Sequence, residues 1–523
     1  MARKTILTCE FGIIFLLFFL SVLIRYPDLD RHLVKKQAWV TAQTMIALEN
    51  WESQGALKHN FCILQSYPLK ADKYICNMGR TMDKNGNWYY TTFPPFAVIC
   101  PYLVFQLFSI PVNVTNLQTF NLATHFVATL FLYLTVSSVL PEPSSKRINI
   151  PAMLASLLFI FIPTNLWTYG NVYSWDIFCH PLWIISIFLT VKCVEYARRD
   201  RRNLFLLTLL GVVNFLMVYT EYLGLFSAIC VCLFAFVHRK ESKQFRWIYR
   251  TITITTVLSL SLTLFQYSQI DGFGSLLSMY MNKYSDVNFS SVHRLSLMLF
   301  LYWYKISFLP GIILLIVLLV AAVVFRLPKG TLRLRPSQIY LIYFALLPVV
   351  LHHAVFFAWT CHHYYGVLKS SVLICIMPAI LLSKLLSTMS RRRARIFLGF
   401  LSVVILALGY QSFRLYKWEF ARGENEGHYE AGLCIHAHSR PDQTVFADWW
   451  PHPQEVFHSK RNIQVIGDVV QAVTWLQEHG RREGVLFYGR TRGTFNSIDK
   501  IDRYANISVR DNESAGVETR KCG

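Results

Sequence analysis

The sequence predicts an all-α polytopic membrane protein with about 11 transmembrane helices and a small C-terminal α/β domain outside the membrane. Three observations predict this class. Of the 523 residues, 54% are hydrophobic and only 15% are charged, whereas a soluble domain carries about 25% charged residues. Apolar runs of about 20 residues, enough to cross a bilayer, recur from residue 11 to residue 408. Beyond residue 413 short apolar stretches replace them.

The first apolar run, residues 6–24, follows a basic N-terminus, as in a secretory signal. No small-residue cleavage site follows before Arg25, so we expect an uncleaved helix whose N-terminus lies in the cytoplasm. Later basic clusters, at 198–202, 238–250 and 391–395, lie beside apolar runs, which is the orientation signal of cytoplasmic loops. None lies in a nucleic-acid motif. The net charge of +21 therefore predicts orientation, with no nucleic acid as a partner.

One apolar run, residues 94–112, is not expected to cross. If every run crossed, the cluster at 198–202 and most later ones would face outward, against the positive-inside tendency. This run contains Pro94, Pro95, Pro101 and Pro111, which break helical hydrogen bonding and predict an interrupted or re-entrant segment. The membrane domain then spans 1–413, and its first large loop, 25–93, lies on the outer side.

Residues 414–523 are expected to form the small α/β domain, on the same outer side. Residues 444–447, 463–466 and 485–488 have the pattern of short strands, and 468–479 has that of a helix. The polar residues after about 508 are expected to be disordered.

The first outer loop begins with Asp28, Asp30, Arg31 and His32. Residues 37–51 follow with apolar positions at helical spacing, which predicts an amphipathic helix on the outer membrane surface. Two carboxylates and a histidine are thereby expected at the bilayer edge. A solvated cap without a chemical role would show the same pattern.

An aromatic cluster ends this loop, where Tyr89 and Tyr90 follow Trp88 and precede the proline pair at 94 and 95. Such a cluster is typical of the aromatic belt at a membrane interface. It is also suited to be a platform for a sugar ring or a lipid chain.

Together these features resemble the GT-C superfamily of membrane glycosyltransferases, which includes protein O-mannosyltransferases and aminoarabinose transferases. The resemblance covers about residues 1–410 and rests on an acidic loop after the first helix, a surface helix and a Tyr-x-x-x-Pro-Pro stretch. Asp176, in Val-Tyr-Ser-Trp-Asp at the outer end of a span, resembles the second characteristic acid of the superfamily. Phe93 stands where aminoarabinose transferases carry a lysine, so lipid A is not implied as the acceptor.

The resemblance implies an inverting transferase. It would move a sugar from a polyprenyl-phosphate or dolichyl-phosphate donor to a glycan, lipid or protein acceptor on the outer or lumenal face. Asp30, or as second choice Asp28, would be the catalytic base that deprotonates the acceptor. Arg31 or His32 would bind the donor phosphate.

Two further groups of residues would bind substrate. The resemblance implies that Asp176 and Glu221 orient the acceptor or, as in metal-using relatives, hold a divalent cation, and a structural hydrogen-bonding role is also open. A late outer loop carries His362, His363 and Lys369, which suit the leaving phosphate. Because no carboxylate accompanies these histidines locally, phosphate is favoured over zinc and no metal site is predicted there. A polar turn is the alternative.

Two other classes stay open. A multi-span transporter would also have interrupted helices, but the sequence has no inverted-repeat halves and its acids collect at one membrane face. A non-catalytic scaffold with the same fold would carry the same residues. The bacterial inner membrane is the expected location, with the membrane of the endoplasmic reticulum as the alternative.

Overall fold

The computed structural model describes residues 2–29, 32–33, 37–68, 80–140, 148–286, 294–325, 333–421, 427–491, 498–510 and 514–521. Most of this chain is helical. The helices are α1 (Ala2–Arg25), α2 (Ala38–Gln54), α3 (Phe96–Leu107), α4 (Val114–Val139), α5 (Ile150–Phe161), α6 (Pro163–Asn171), α7 (Trp175–Arg198), α8 (Leu204–Val218), α9 (Tyr222–Val237), α10 (Lys243–Asp286), α11 (Arg294–Val324), α12 (Pro336–Val355), α13 (Phe357–His362), α14 (Ser371–Thr388), α15 (Arg391–Leu415), α16 (Gly427–His438), α17 (Pro453–Ser459) and α18 (Val469–Glu478).

The predicted polytopic all-α membrane domain is confirmed. Within the described residues, 9 helices are long and apolar enough to cross a membrane, or 10 if α5 and α6 form one span bent by 58°. Pro163 causes that bend, because it has no N–H with which to continue α5. The remaining predicted span corresponds to α8, whose 15 residues fall short of a usual crossing. The run expected not to cross contains α3, which has only 12 residues.

The centre of the bundle is formed by α7 and by α14 with the turn before it. In the most apolar windows of these two segments, 78% and 83% of the residues are buried. The same share is 17% for α15 and 22% for α10, which therefore present most of their surface to lipid. Polar side chains on α7 and before α14 are consequently removed from both water and lipid.

The first large loop and the C-terminal domain lie on the same side of the bundle, in direct contact. Asn462 accepts a hydrogen bond from the backbone N–H of Tyr67 at 2.9 Å and donates one to its carbonyl at 3.1 Å. Lys460 forms an ion pair with Glu49, with Nζ 2.6 Å from Oε1. These contacts hold the C-terminal domain over the loop.

Helix α2 forms where a surface helix was expected, but the prediction that it is amphipathic and lies on the membrane surface was wrong. Of its 17 residues 12 are buried, including Gln43, Thr44 and Asn50. The reason is that α17 of the C-terminal domain packs on α2, so its polar face is covered by protein. Asn50 donates hydrogen bonds to the carbonyls of Leu64 and Ser66 in the same loop.

The C-terminal domain contains a five-stranded sheet of order β5-β4-β6-β7-β8. The three predicted strands correspond to β4 (Thr444–Ala447), β5 (Ile463–Val465) and β6 (Glu483–Thr491), which are parallel to one another. Two antiparallel strands follow, β7 (Ile498–Arg510) and β8 (Ser514–Lys521). The expectation of disorder after about residue 508 was therefore wrong, because β7 offers an edge to which 514–521 bind.

A second, small sheet belongs to the first loop. It consists of β1 (Ile63–Leu64), β2 (Arg80–Met82) and β3 (Trp88–Tyr90), in the order β1-β3-β2. Buried residues of this sheet pack against the extension of α10, through Tyr267 and Ile270. A kink at Gly272, whose φ of 81° favours glycine, turns the end of α10 over the loop.

Candidate functional site

Two buried carboxylates stand at the helix ends beneath the first loop. Asp176 lies in the first turn of α7, where the N-terminal end of the helix favours negative charge. The preceding Ser174 caps the same helix. Glu221 caps α9, where its Oε2 accepts a hydrogen bond from the backbone N–H of Leu223 at 2.8 Å. Capping explains the position of Glu221 at a span boundary, and the favourable field of the helix N-terminus explains that of Asp176.

Lys369 and His352 complete a cluster with these carboxylates. Nζ of Lys369 lies 2.5 Å from Oδ1 of Asp176, 3.5 Å from Oε1 of Glu221 and 2.8 Å from Nε2 of His352. Nε2 of His352 also lies 3.0 Å from Oε1 of Glu221. The four side chains are at most 3% exposed. Breaking such a buried pair leaves an uncompensated charge, which is strongly destabilising.

The turn that carries Lys369, Tyr364–Ser370, is held by α11. The hydroxyl of Tyr304 lies 2.5 Å from that of Ser370 and 3.0 Å from Nε2 of His353. The indole N–H of Trp303 donates to the carbonyl of Cys361 at 3.0 Å. Lys369 is therefore fixed by its backbone as well as by its ion pairs.

An aromatic wall borders the cluster. The rings of Tyr90 and Phe93 lie 5.0 and 5.6 Å from that of Trp175, the residue before Asp176. On the opposite side, Nζ of Lys369 lies 5.3 Å from the ring centre of Trp359, within the range of a cation–π interaction. The wall connects the buried charges with the first loop.

The structure separates the two predicted tyrosines. Tyr89 is buried in the small sheet, where its hydroxyl lies 2.8 Å from Nδ1 of His59 and donates to Asp83 at 3.1 Å. Burial alone would raise the pKa of Asp83, but hydrogen bonds from Asn87, Asn85 and Tyr89 lower it below its ordinary value. Tyr89 therefore stabilises the loop, and Tyr90 is the tyrosine that faces the cluster.

The sequence predicted four functional residues at the start of the first loop: Asp28, Asp30, Arg31 and His32. The structure describes Asp28 and His32. Asp28 is buried and accepts hydrogen bonds from the hydroxyl of Tyr416 at 2.7 Å and from Nζ of Lys417 at 2.8 Å, at the end of α15. Asp30 and Arg31 lie outside the described residues.

His32 is exposed and stacks on the C-terminal domain. Its ring lies 4.1 Å from that of Tyr429, and its Nε2 lies 3.0 Å from the hydroxyl of that tyrosine.

His363 lies at the edge of the cluster, where the late loop meets the first loop. Its Nδ1 lies 3.2 Å from Oε1 of Gln37, and its ring stacks on Tyr365 at 5.4 Å. Trp39 lies between His363 and His452 of the C-terminal domain, with ring centres 5.8 and 6.2 Å away. The side chain of His362 lies outside the described part of the chain.

A second buried polar network was missed from the sequence. Nη1 of Arg25 lies 3.2 Å from Nδ1 of His125, which stacks on Tyr169 at 4.2 Å. The hydroxyl of Tyr169 lies 2.8 Å from Nδ1 of His180, whose Nε2 lies 3.4 Å from Ser371. The sequence did contain a signal for this network, namely ionisable residues inside apolar runs. Such residues are unfavourable in a membrane and usually mark a function or a buried partner.

An apolar groove of about 330 Å³ opens between α1, α5, α11 and α15. Its lining includes Ile24 and Leu166 near one end and Gly409 and Phe413 along α15. Ile24 is four residues before Asp28, and Phe413 is four residues before Lys417. The groove is therefore lined by the last turns of α1 and α15, the two helices that precede Asp28 and Lys417 in the chain.

Comparison with solved structures shows that this chain shares its fold with ArnT and with an archaeal oligosaccharyltransferase. No family model matches the sequence, and the search of the curated proteins found no match. ArnT from Cupriavidus metallidurans bound to undecaprenyl phosphate superposes with a TM-score of 0.57 at 12% identity, over 92% of this chain and 93% of that chain. The apo state of the same ArnT gives 0.51 at 12% identity, over 94% of each chain.

The oligosaccharyltransferase of Archaeoglobus fulgidus, in complex with Zn and sulfate, gives a TM-score of 0.55 at 14% identity. The likeness covers 91% of this chain and 68% of that one. The predicted resemblance in fold is thus confirmed over most of the chain.

Proposed function

We propose that the protein transfers a sugar from a polyprenyl-phosphate donor to an acceptor on the outer face of the membrane, with inversion at the anomeric carbon. The observation that carries the proposal is the buried cluster of Asp176, Glu221, His352 and Lys369, placed under an aromatic wall in a GT-C fold. Neighbours with this fold include an ArnT bound to undecaprenyl phosphate. A buried charge cluster at the end of a membrane bundle is costly, which supports a chemical role.

The groove between α1 and α15 would hold the isoprenoid chain of the donor. It is almost wholly apolar and is lined by α15, a mostly exposed helix that is followed in the chain by Lys417. The side chain of Lys417 is 32% exposed although it pairs with Asp28, so Lys417 is proposed to bind a phosphate oxygen. An isoprenoid chain bound in the groove would thus bring the donor phosphate to the start of the first loop.

Asp30 is the proposed base, in preference to Asp28. The carboxylate of Asp28 is already occupied by Tyr416 and Lys417, and a base needs free access to the acceptor hydroxyl. In the proposed step Asp30 takes the acceptor proton, and the acceptor oxygen attacks the anomeric carbon opposite the phosphate. The bond from that carbon to the phosphate oxygen breaks, and the polyprenyl phosphate leaves with the electron pair.

The aromatic wall would position the sugar. Tyr90 is half-buried, belongs to the first loop and lies 5.0 Å from the ring of Trp175, and its ring is proposed to pack on the sugar. Asp176 and Glu221 would orient this wall and the acceptor through their fixed helix ends. Arg31, His32 and His363 are proposed to contact the donor phosphate or the acceptor from the loop side. The acceptor is a glycan, a lipid or a protein.

The test is mass spectrometry of glycans and polyprenyl-phosphate sugars from cells that lack the protein. We expect accumulated donor and an under-glycosylated product, both restored by the wild type. The Asp30→Asn variant should fail to restore them, and Glu478→Gln, an exposed acid at the end of α18, should restore them fully.

Two outcomes would contradict the proposal. Unchanged donor and product levels would indicate a non-catalytic scaffold. Purified protein that moves substrate across vesicles without forming a glycosidic bond would identify a transporter.

A further inference from the structure

The buried cluster has the geometry of a divalent-metal site. One carboxylate oxygen of Asp176, one of Glu221 and one ring nitrogen of His352 all lie within 4.8 Å of one another. Ligand atoms bound to one ion at about 2.0–2.5 Å have comparable mutual separations. The three ligands come from α7, the cap of α9 and α12, so the bundle brings them together before any ion binds.

The amine of Lys369 already lies between these three ligand groups. Its distances of 2.5, 3.5 and 2.8 Å to Asp176, Glu221 and His352 are hydrogen-bond lengths or slightly longer. An ammonium has three N–H donors, which matches the number of ligand atoms. A metal ion could bind there only if Lys369 left, and its side chain is 1% exposed, with no solvent to receive it.

Charge supports the same conclusion. Two carboxylates buried side by side repel each other, and a cation must neutralise at least part of that charge. Lys369 supplies one positive charge without the need for an ion from outside. It also touches the face of Trp359, which stabilises an ammonium further.

We infer that Lys369 is a built-in replacement for a divalent cation, so that the native protein binds no divalent metal at this cluster. Asp176, Glu221 and His352 form a latent metal site that opens when the lysine side chain is removed. Lys369 is a positioning residue in this arrangement, because it holds the two carboxylates. It is not free to contact the leaving phosphate, which alters the role expected from its place in the late loop.

The experiment is binding of Co²⁺ to full-length purified protein, followed by visible absorption and by titration calorimetry. Wild type should show no Co²⁺ binding that depends on Asp176. The Lys369→Ala variant should bind one Co²⁺, and the Lys369→Ala/Asp176→Asn double variant should lose it. Lys369→Met is the matched control, because it removes the charge but keeps a side chain in the space.

Two outcomes would overturn the inference. One is Co²⁺ binding by the wild type that disappears in Asp176→Asn. The other is a folded Lys369→Ala variant that binds no more Co²⁺ than Lys369→Met. If Lys369→Ala does not fold, the wild-type comparison with Asp176→Asn decides alone. Because the readout is metal binding, it can fail or succeed independently of the proposed sugar transfer.

Discussion

Nζ of Lys417 lies 2.8 Å from a carboxylate oxygen of Asp28, a residue 389 positions earlier in the chain. This ion pair joins the turn after the first helix to the end of the last membrane helix. Both ends of the membrane domain therefore meet at one point. This ion pair fixes the residues from which the first loop starts.

Substitutions of Asp28 and of Lys417 should differ in their effect on stability. Asp28 is 2% exposed and Lys417 is 32% exposed. Asp28→Asn should lower the free energy of unfolding by about 1–3 kcal/mol, because it weakens two hydrogen bonds to a buried group. Lys417→Met should cost more, up to about 3–5 kcal/mol, because it leaves the buried carboxylate of Asp28 without its cation. Thermal unfolding in detergent measures both, and equal losses would contradict the assignment.

Removal of the charge on Lys369 should be far more costly. We expect Lys369→Met to lower the free energy of unfolding by about 3–5 kcal/mol, because Asp176 and Glu221 are left buried without a cation. A thiol-reactive dye can follow unfolding, since buried cysteines such as Cys179 and Cys375 become accessible. Adding Asp176→Asn to Lys369→Met should restore part of the loss. A further loss of stability in the double variant would show that Lys369 and Asp176 do not interact directly.

Tyr90 and Tyr89 should separate function from stability. Tyr90→Ala should raise the KM for the donor or acceptor about 3- to 10-fold, which corresponds to the loss of one aromatic contact. Tyr89→Phe should leave KM unchanged and lower stability by about 1 kcal/mol, because His59 and Asp83 lose a partner. A change of KM in Tyr89→Phe alone would reverse the assignment of the two residues.

The docking of the C-terminal domain should weaken in acid through His458. Burial, together with Lys460 and His32, lowers the pKa of His458 from 6.5 to about 4. Between these values the unfolded chain binds a proton that the folded chain does not, so stability falls as the pH drops through this window.

We therefore expect the Tm of the wild type to fall more steeply between pH 6.5 and about 4 than that of His458→Asn. His452, whose pKa is lowered by burial and by His428, has the same sign, so some pH dependence should persist. Parallel curves for the two proteins would contradict the role of His458.

The orientation of the chain is testable by cysteine labelling. A membrane-impermeant maleimide should label Glu478→Cys in intact cells and Lys240→Cys only after permeabilisation, with the wild-type signal subtracted. Both positions are exposed, so access depends on the side of the membrane. Labelling of Glu478→Cys only after permeabilisation would place the C-terminal domain in the cytoplasm and exclude the proposed mechanism.

The period and length of the apolar runs predicted the membrane domain, and alternation predicted β4, β5 and β6. Asp176 and Glu221 were named as candidates from the sequence, Asp176 through the resemblance to the superfamily and Glu221 as a further acid on the same membrane face. These features are local, since they depend on residues within one helix or one strand. The resemblance to the GT-C superfamily rested on the same local features.

The meeting of Lys369 with Asp176 could not be predicted, because 193 residues separate them. The two side chains meet only after the turn Tyr364–Ser370 has packed on α7 in the folded bundle. Burial of α2 and pairing of β8 likewise depend on contacts with distant segments, which a single-sequence pattern does not contain. The sequence by itself thus determined the class of protein and its acids. Only the tertiary structure decided which cation neutralises them, because electrostatic partners in a dry interior are chosen by three-dimensional proximity.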